Sequence, residues 1–126
     1  MVLDADGVSK AAVADRRAQA FLVSARARDA RVVVSAATLA EVLRGGPRDA
    51  PAHRVLGRVT KLAVSPDHGR RAGELLGSTG LAEATVDALV AATALEQAGP
   101  VLVLTSDPMD LRTLTASRRD VSVERI

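Results

Sequence analysis

The sequence contains no cysteine, and Phe21 is the only aromatic side chain among its 126 residues. Without cysteine the chain forms neither disulfides nor a thiolate metal site, so we expect an intracellular, cytoplasmic protein. No stretch has the length and continuity of a transmembrane helix, and an acid follows within four residues of the N-terminus, so we expect no signal peptide. These absences exclude disulfide-stapled and membrane-spanning classes.

The apolar residues that are present make up 48% of the chain, and they are mainly valine, leucine and alanine. Such small side chains suit helices packed directly on a parallel sheet, and the length predicts a single domain over residues 1–126. The formal charge is +2 with a pI near 9.9, because arginine outnumbers lysine. Arginine suits phosphate oxygens, but a G+C-rich genome is the better explanation of the arginine and alanine excess. Composition therefore leaves the ligand open.

Strand-like and helix-like segments alternate along the chain. Continuous apolar runs at residues 1–3, 31–34 and 101–104 predict buried strands, and alternating patterns at 59–64 and 120–125 predict edge strands. Helices are predicted at 8–14, 15–29, 36–44, 51–57, 66–77, from 85 to about 98, and at 108–116, with a turn at Asp6-Gly7. This order predicts an α/β fold: a mainly parallel sheet of about five strands, sandwiched between helices.

Four acids occupy positions where such a sheet places its ligands. Asp4 and Asp107 follow two buried strands, Glu41 lies on the helix after another strand, and Asp87 lies early in an apolar helix. Each has an ordinary alternative. Asp4 can be a turn residue and Glu41 an exposed helix residue, whereas Asp107 with Pro108 fits a helix N-cap. Asp87 can interact favourably with the N-terminal dipole of its helix, but its neighbours are strongly apolar.

Carboxylates gathered at one sheet edge need a counter-charge. Two of them about 4 Å apart repel by roughly 4 kcal/mol at an effective dielectric near 20, and a divalent cation removes that penalty. Oxygen ligands without cysteine or histidine favour Mg²⁺ or Mn²⁺ over zinc. His53 and His68 do not have zinc-site spacing, and we expect both at the surface.

Four segments together resemble the PIN-domain ribonucleases, and more narrowly the VapC-type toxins of bacterial toxin–antitoxin pairs. They are residues 2–4, 38–42, 87–94 and 104–111. The resemblance implies that Asp4, Glu41, Asp87 and Asp107 bind one or two Mg²⁺ or Mn²⁺ ions, and that Thr105 supports the site. It also implies a homodimer, an RNA substrate and a cognate antitoxin. Asp6 departs from the pattern, which usually has a small hydroxyl residue there. Asp6 is thus either a turn residue or an extra carboxylate, and Asp110 either a helix-start acid or an outer residue of the site.

The expected function is therefore a metal-dependent endoribonuclease, the toxin of a type II pair, which cleaves RNA with a metal-activated water. Arg44, Arg48 and Arg112 are candidates to hold the RNA backbone, and the antitoxin is expected on apolar surface near Phe21 and Leu22. One alternative is a catalytically silent PIN-like module that binds RNA or protein. A phosphoryl-accepting signalling domain is disfavoured because neither of the two lysines follows a suitable strand.

Overall fold

Five strands form one parallel sheet in the computed structural model, which describes residues 1–126. The sheet order is β3-β2-β1-β4-β5, and every neighbouring pair is parallel. The two strands predicted from alternating patterns are the edges, as expected. The strand bounds are β1 (Val2–Leu3), β2 (Val33–Ser35), β3 (Thr60–Leu62), β4 (Val101–Thr105) and β5 (Val121–Arg125).

Seven helices connect and flank the strands, and one turn of 3₁₀ helix lies at Pro47–Asp49. The helices are α1 (Ala5–Ala12), α2 (Arg16–Ala27), α3 (Ala36–Val42), α4 (Ala50–Leu56), α5 (Pro66–Thr79), α6 (Thr85–Glu96) and α7 (Pro108–Thr115). The fold class predicted from the sequence is confirmed. None of these helices combines the length and apolar character that crossing a bilayer requires.

The prediction of a turn at Asp6-Gly7 is wrong. Helix α1 already begins at Ala5, because the Asp4 side chain caps it, and Asp6 and Gly7 both lie in its first turn. The same helix ends at Ala12 rather than Ala14, whose φ of +57° is left-handed and breaks the helix before α2. A short polar stretch after a strand fits a turn and a capped helix equally well, and the capping bond decides between them.

Alternate residues of the central strands enter two separate cores. Val2, Val33 and Val103 face α5, α6 and α7, where they pack on the small side chains of α6. Leu3, Val34 and Leu104 face the opposite side, where they meet α1 and α4, with α2 and α3 packed around them. Because successive strand residues point to opposite faces, a run of valine and leucine fills both layers.

The strand register aligns the ends of the three central strands. Leu3 pairs with Val34 on one side and with Leu104 on the other. The chain segments that follow these residues therefore leave the sheet at the same carboxyl edge. Helices α1, α3 and α7 begin there. Helices α1 and α7 carry acids in their first turns, whereas Glu41 lies further along α3.

Candidate active site

Asp4 is the most buried of the four predicted acids, with 8% of its surface exposed. Its Oδ1 accepts a hydrogen bond of 2.7 Å from the backbone N–H of Gly7. A Cβ at position 7 would meet the Leu104 carbonyl oxygen at 2.9 Å, so only glycine lets the first turn of helix α1 lie against the end of β4. The capping bond and the close helix–strand contact together fix the Asp4 carboxylate at the sheet edge.

Burial raises the pKa of Asp4 from 3.8 to about 6. The Thr105 hydroxyl and the Gly7 N–H oppose this shift because they stabilise the charged form, while the charges of Asp6 and Asp87 add to it. Two hydrogen-bond donors thus fail to offset desolvation. The carboxyl group lacks a cationic partner.

Asp87 lies in the first turn of α6 and is half-buried. Burial raises its pKa, and the charges of Asp110, Asp107 and Asp6 raise it further. Its neighbours in the site are thus acids from two other elements, and it forms no ion pair with a basic residue.

Glu41 is exposed on α3, as its helical position indicated. Its pKa is nevertheless raised, first by partial desolvation and then by the charges of Asp87 and Asp6. Glu41 is thus close enough to Asp87 of α6 and Asp6 of α1 for their charges to affect it. Exposure and membership of the acidic group are compatible, because the site is a rim and not a closed cavity.

Asp107 occupies the N-cap position of α7, but its side chain makes no capping hydrogen bond. The interpretation of this carboxylate as a helix cap is therefore wrong, although Pro108 does begin the helix. The Thr105 hydroxyl holds the turn instead: it accepts from the Asp107 N–H at 3.1 Å, and it lies 3.3 Å from the Asp107 carbonyl. The exposed Asp107 carboxylate therefore makes no hydrogen bond to the helix. Asp110 lies half-buried in the first turn of α7, and its charge raises the pKa of Asp87.

Asp6 belongs to the same acidic group. Its carboxylate accepts a hydrogen bond from the Ser106 hydroxyl, which ties α1 to the turn after β4. Its charge raises the pKa of Asp4, Glu41 and Asp87. Asp6 is thus an additional carboxylate of the rim and not a turn residue.

The acidic rim, as we call this group, combines oxygen donors from four parts of the chain. No three histidine, aspartate or glutamate side chains converge closely enough to hold an ion as they stand. The donor chemistry fits a hard divalent cation, because every ligand is a carboxylate and three of the pKa values are raised. The members are Asp4, Asp6, Glu41, Asp87, Asp107 and Asp110.

The family model described as the PIN domain matches residues 1–113 of the chain. The chain belongs to the PIN domain family. A similar solved structure is VapBC2 from Rickettsia felis, bound to a DNA fragment from its promoter. The two chains have 18% identity and a TM-score of 0.70, with 99% of this chain and 97% of that chain covered. This likeness shows the shared fold. No curated protein matches the sequence.

Two of the three arginines suggested as RNA contacts are anchored to the PIN domain's own backbone. Arg44 donates to the Ala40 and Leu43 carbonyls at the end of α3. Arg112 donates to the Val123 carbonyl of β5 at 3.0 Å. Arg48 is exposed and forms no hydrogen bond, so it has the most freedom to meet a phosphate.

The prediction that both histidines lie at the surface is wrong for His68, which is only 3% exposed. Its Nδ1 lies 3.0 Å from the Glu96 carboxylate, and its Nε2 lies 3.1 Å from the Leu89 carbonyl and 3.1 Å from the Thr93 hydroxyl. All three partners are on α6. His68 therefore joins α5 to the helix that carries Asp87, and His53 alone is exposed.

Sequence reasoning also missed Asp49, a buried acid that has a structural role. Its Oδ2 accepts the backbone N–H groups of Arg44 and Gly45, each at 2.7 Å. These bonds lower the pKa of Asp49 and fix the loop that follows α3. The only sequence signal for this role is the glycine pair at positions 45 and 46, which permits the loop to fold back on the carboxylate.

Proposed function

We propose that this PIN domain is an Mg²⁺- or Mn²⁺-dependent endoribonuclease and the VapC-type toxin of a type II toxin–antitoxin pair. The observation that carries the proposal is the acidic rim itself. Carboxylates from separate elements lie along one sheet edge without a basic partner, and burial together with the charges of neighbouring acids raises the pKa values of Asp4, Glu41 and Asp87. PIN domains are generally nucleases, and the VapBC2 fold supports the narrower assignment.

The rim residues have distinct roles in the proposed reaction. Asp4, Asp87, Asp107 and Glu41 would hold the cation, which when bound supplies charge stabilisation for the phosphate and an acidified water. Thr105 keeps the Asp107 turn in place through its contacts with the Asp107 backbone. The Asp6 carboxylate, held by Ser106, and the Asp110 carboxylate extend the negative rim around the cation.

Cleavage of structured RNA in Mn²⁺ tests the nuclease proposal. The wild-type protein should cleave internally, and EDTA should abolish the activity. We expect Asp4→Asn, Asp87→Asn and Asp107→Asn each to reduce the cleavage rate at least about a hundredfold. Loss of a residue that only hydrogen-bonds to a metal ligand already reduces activity by roughly ten- to hundredfold, and loss of the ligand itself should reduce it more. Glu41→Gln should impair cleavage strongly, whereas Glu74→Gln, an exposed acid on α5, should not. Full activity of Asp87→Asn would contradict the assignment.

The alternative is a catalytically silent PIN domain that binds RNA or protein. The same assay separates the two functions, because a silent module binds RNA but leaves it intact in Mn²⁺. The complete set of four carboxylates favours the enzyme, since a silent module has no need to keep acids whose charges repel one another.

The proposal includes a cognate antitoxin as the protein partner. A groove of about 740 Å³ lies between α2 and α4, and Leu22, Val23 and Val55 give it an apolar floor. Arg26, Arg31, Arg54 and Arg58 line the same groove, so an amphipathic acidic segment complements it in shape and charge. Leu22 lines this groove and Phe21 does not, and both side chains pack against the core beneath it. Addition of the antitoxin to the cleavage assay should inhibit the enzyme.

The proposal also includes a cytoplasmic homodimer, and light scattering would measure its mass.

A further inference from the structure

Thr38 Oγ1 is the one buried side-chain polar atom that has no hydrogen-bond partner. The residue lies in the first turn of α3, and none of its surface is exposed. An unsatisfied buried hydroxyl is destabilising and rare in folded proteins. Its presence within one helical turn of Glu41 requires an explanation.

The position of Thr38 in its helix explains why its hydroxyl has no partner. Four other helical threonines donate to the carbonyl four residues earlier: Thr79 to Leu75, Thr93 to Leu89, Thr113 to Met109 and Thr115 to Leu111. For Thr38 that carbonyl belongs to Val34, which lies in β2 and not in a helix. The hydroxyl is therefore denied the bond that every other threonine in this set makes.

The helix that carries Thr38 begins at the same sheet edge as the acidic rim. β2 ends at Ser35, level with Asp4 at the end of β1, so the first turn of α3 lies at the carboxyl edge. Helix α3 packs against α1 and α6, which carry Asp6 and Asp87. Glu41 lies one turn after Thr38. Desolvation, and then the charges of Asp87 and Asp6, raise the pKa of Glu41.

We propose that Thr38 is a positioning residue whose hydroxyl donates to the Glu41 carboxylate when a divalent cation draws that carboxylate into the rim. This inference rests on the proposed function. In the metal-free protein the hydroxyl has no partner, and in the metal-bound protein it orients a ligand. Removal of a residue that hydrogen-bonds to a metal ligand typically weakens metal affinity by roughly ten- to hundredfold.

Thermal melts of Thr38→Val with and without Mn²⁺ test the inference. Valine keeps the shape and removes the unpaired hydroxyl, so in EDTA the variant should melt at or above the wild-type temperature. Its Mn²⁺ dissociation constant, from the dependence of melting temperature on concentration, should rise roughly ten- to hundredfold. Thr38→Ser should restore the wild-type constant. Thr115→Val is the matched control: it loses a satisfied hydroxyl, so it should melt lower and bind Mn²⁺ normally.

Two results would overturn the positioning role: a Thr38→Val protein with wild-type Mn²⁺ affinity, or a weakened affinity that Thr38→Ser does not restore. In both cases a wild type that cleaves RNA and melts higher in Mn²⁺ leaves the nuclease proposal intact. A wild type that neither cleaves RNA nor responds to Mn²⁺ overturns the nuclease proposal and the role of Thr38 with it.

Discussion

At the scale of single residues, Asp4 combines a structural bond with an electrostatic penalty. Its carboxylate caps α1 through the Gly7 N–H, and its burial raises its pKa to about 6. The folded protein therefore retains a proton that the unfolded chain releases near pH 3.8. The free energy of unfolding is therefore higher below pH 3.8 than at neutral pH, and this difference is lost as the pH rises through about 6. At 1.36 kcal/mol per pKa unit, the difference is about 3 kcal/mol.

Asp4→Asn should therefore stabilise the metal-free protein in a pH-dependent way. The asparagine oxygen can still accept the Gly7 N–H, but it carries no charge. We expect a higher melting temperature than wild type at pH 7, and a difference that shrinks towards pH 4, in melts with EDTA. Asp29→Asn is the control and should show no such trend, because the Asp29 side chain is exposed and makes no hydrogen bond. An equal difference at pH 4 and pH 7 would mean that the Asp4 charge is not the cause.

At the scale of elements, the α5–α6 pair depends on a polar contact inside an otherwise apolar interface. His68 reaches Leu89, Thr93 and Glu96, which lie on successive turns of α6. The sequence did not indicate this contact, because the partners lie 21 to 28 residues away and α5 alone does not specify which helix covers it. Buried polar groups are retained when they are hydrogen-bonded, and His68 meets that condition.

His68→Ala should destabilise the protein by about 2–4 kcal/mol, since it leaves both a cavity and polar groups without partners. His53→Ala is the matched control, and we expect a change within about 0.5 kcal/mol because His53 is exposed. Urea unfolding of the two variants measures both values. Equal effects of the two substitutions would contradict the role assigned to the buried histidine.

At the scale of the whole molecule, the sequence predicts the strands better than it predicts what surrounds their ends. Val101 to Leu104 could be predicted as a central strand because an apolar run of that length needs cover on both faces. The helix start at Ala5 was harder to predict, because an Asp followed by Asp-Gly fits a turn as well as a capped helix. The close fit of Gly7 against Leu104, about a hundred residues later, gives no signal in the local pattern.

The same distinction applies to the acidic rim. The four acids could be predicted to share an edge because parallel strands end together. The inclusion of Asp6 could not be predicted, because its carboxylate accepts a hydrogen bond from Ser106, which lies 100 residues later in the sequence. Thr38 gave no signal either, because a missing hydrogen bond is visible only once every neighbour is in place.

The most direct test of the acidic rim as a cation site is the thermal stability of Asp87→Asn with and without Mn²⁺. The substitution keeps the shape of the side chain and removes one of the mutually repelling charges. In EDTA the variant should melt higher than wild type, because the rim stores less repulsion. In millimolar Mn²⁺ the wild type and Glu74→Gln should both gain stability by mass action, and Asp87→Asn should gain much less. A variant that melts lower than wild type in EDTA and gains equally from Mn²⁺ would show that Asp87 is a structural acid, and would contradict the metal site.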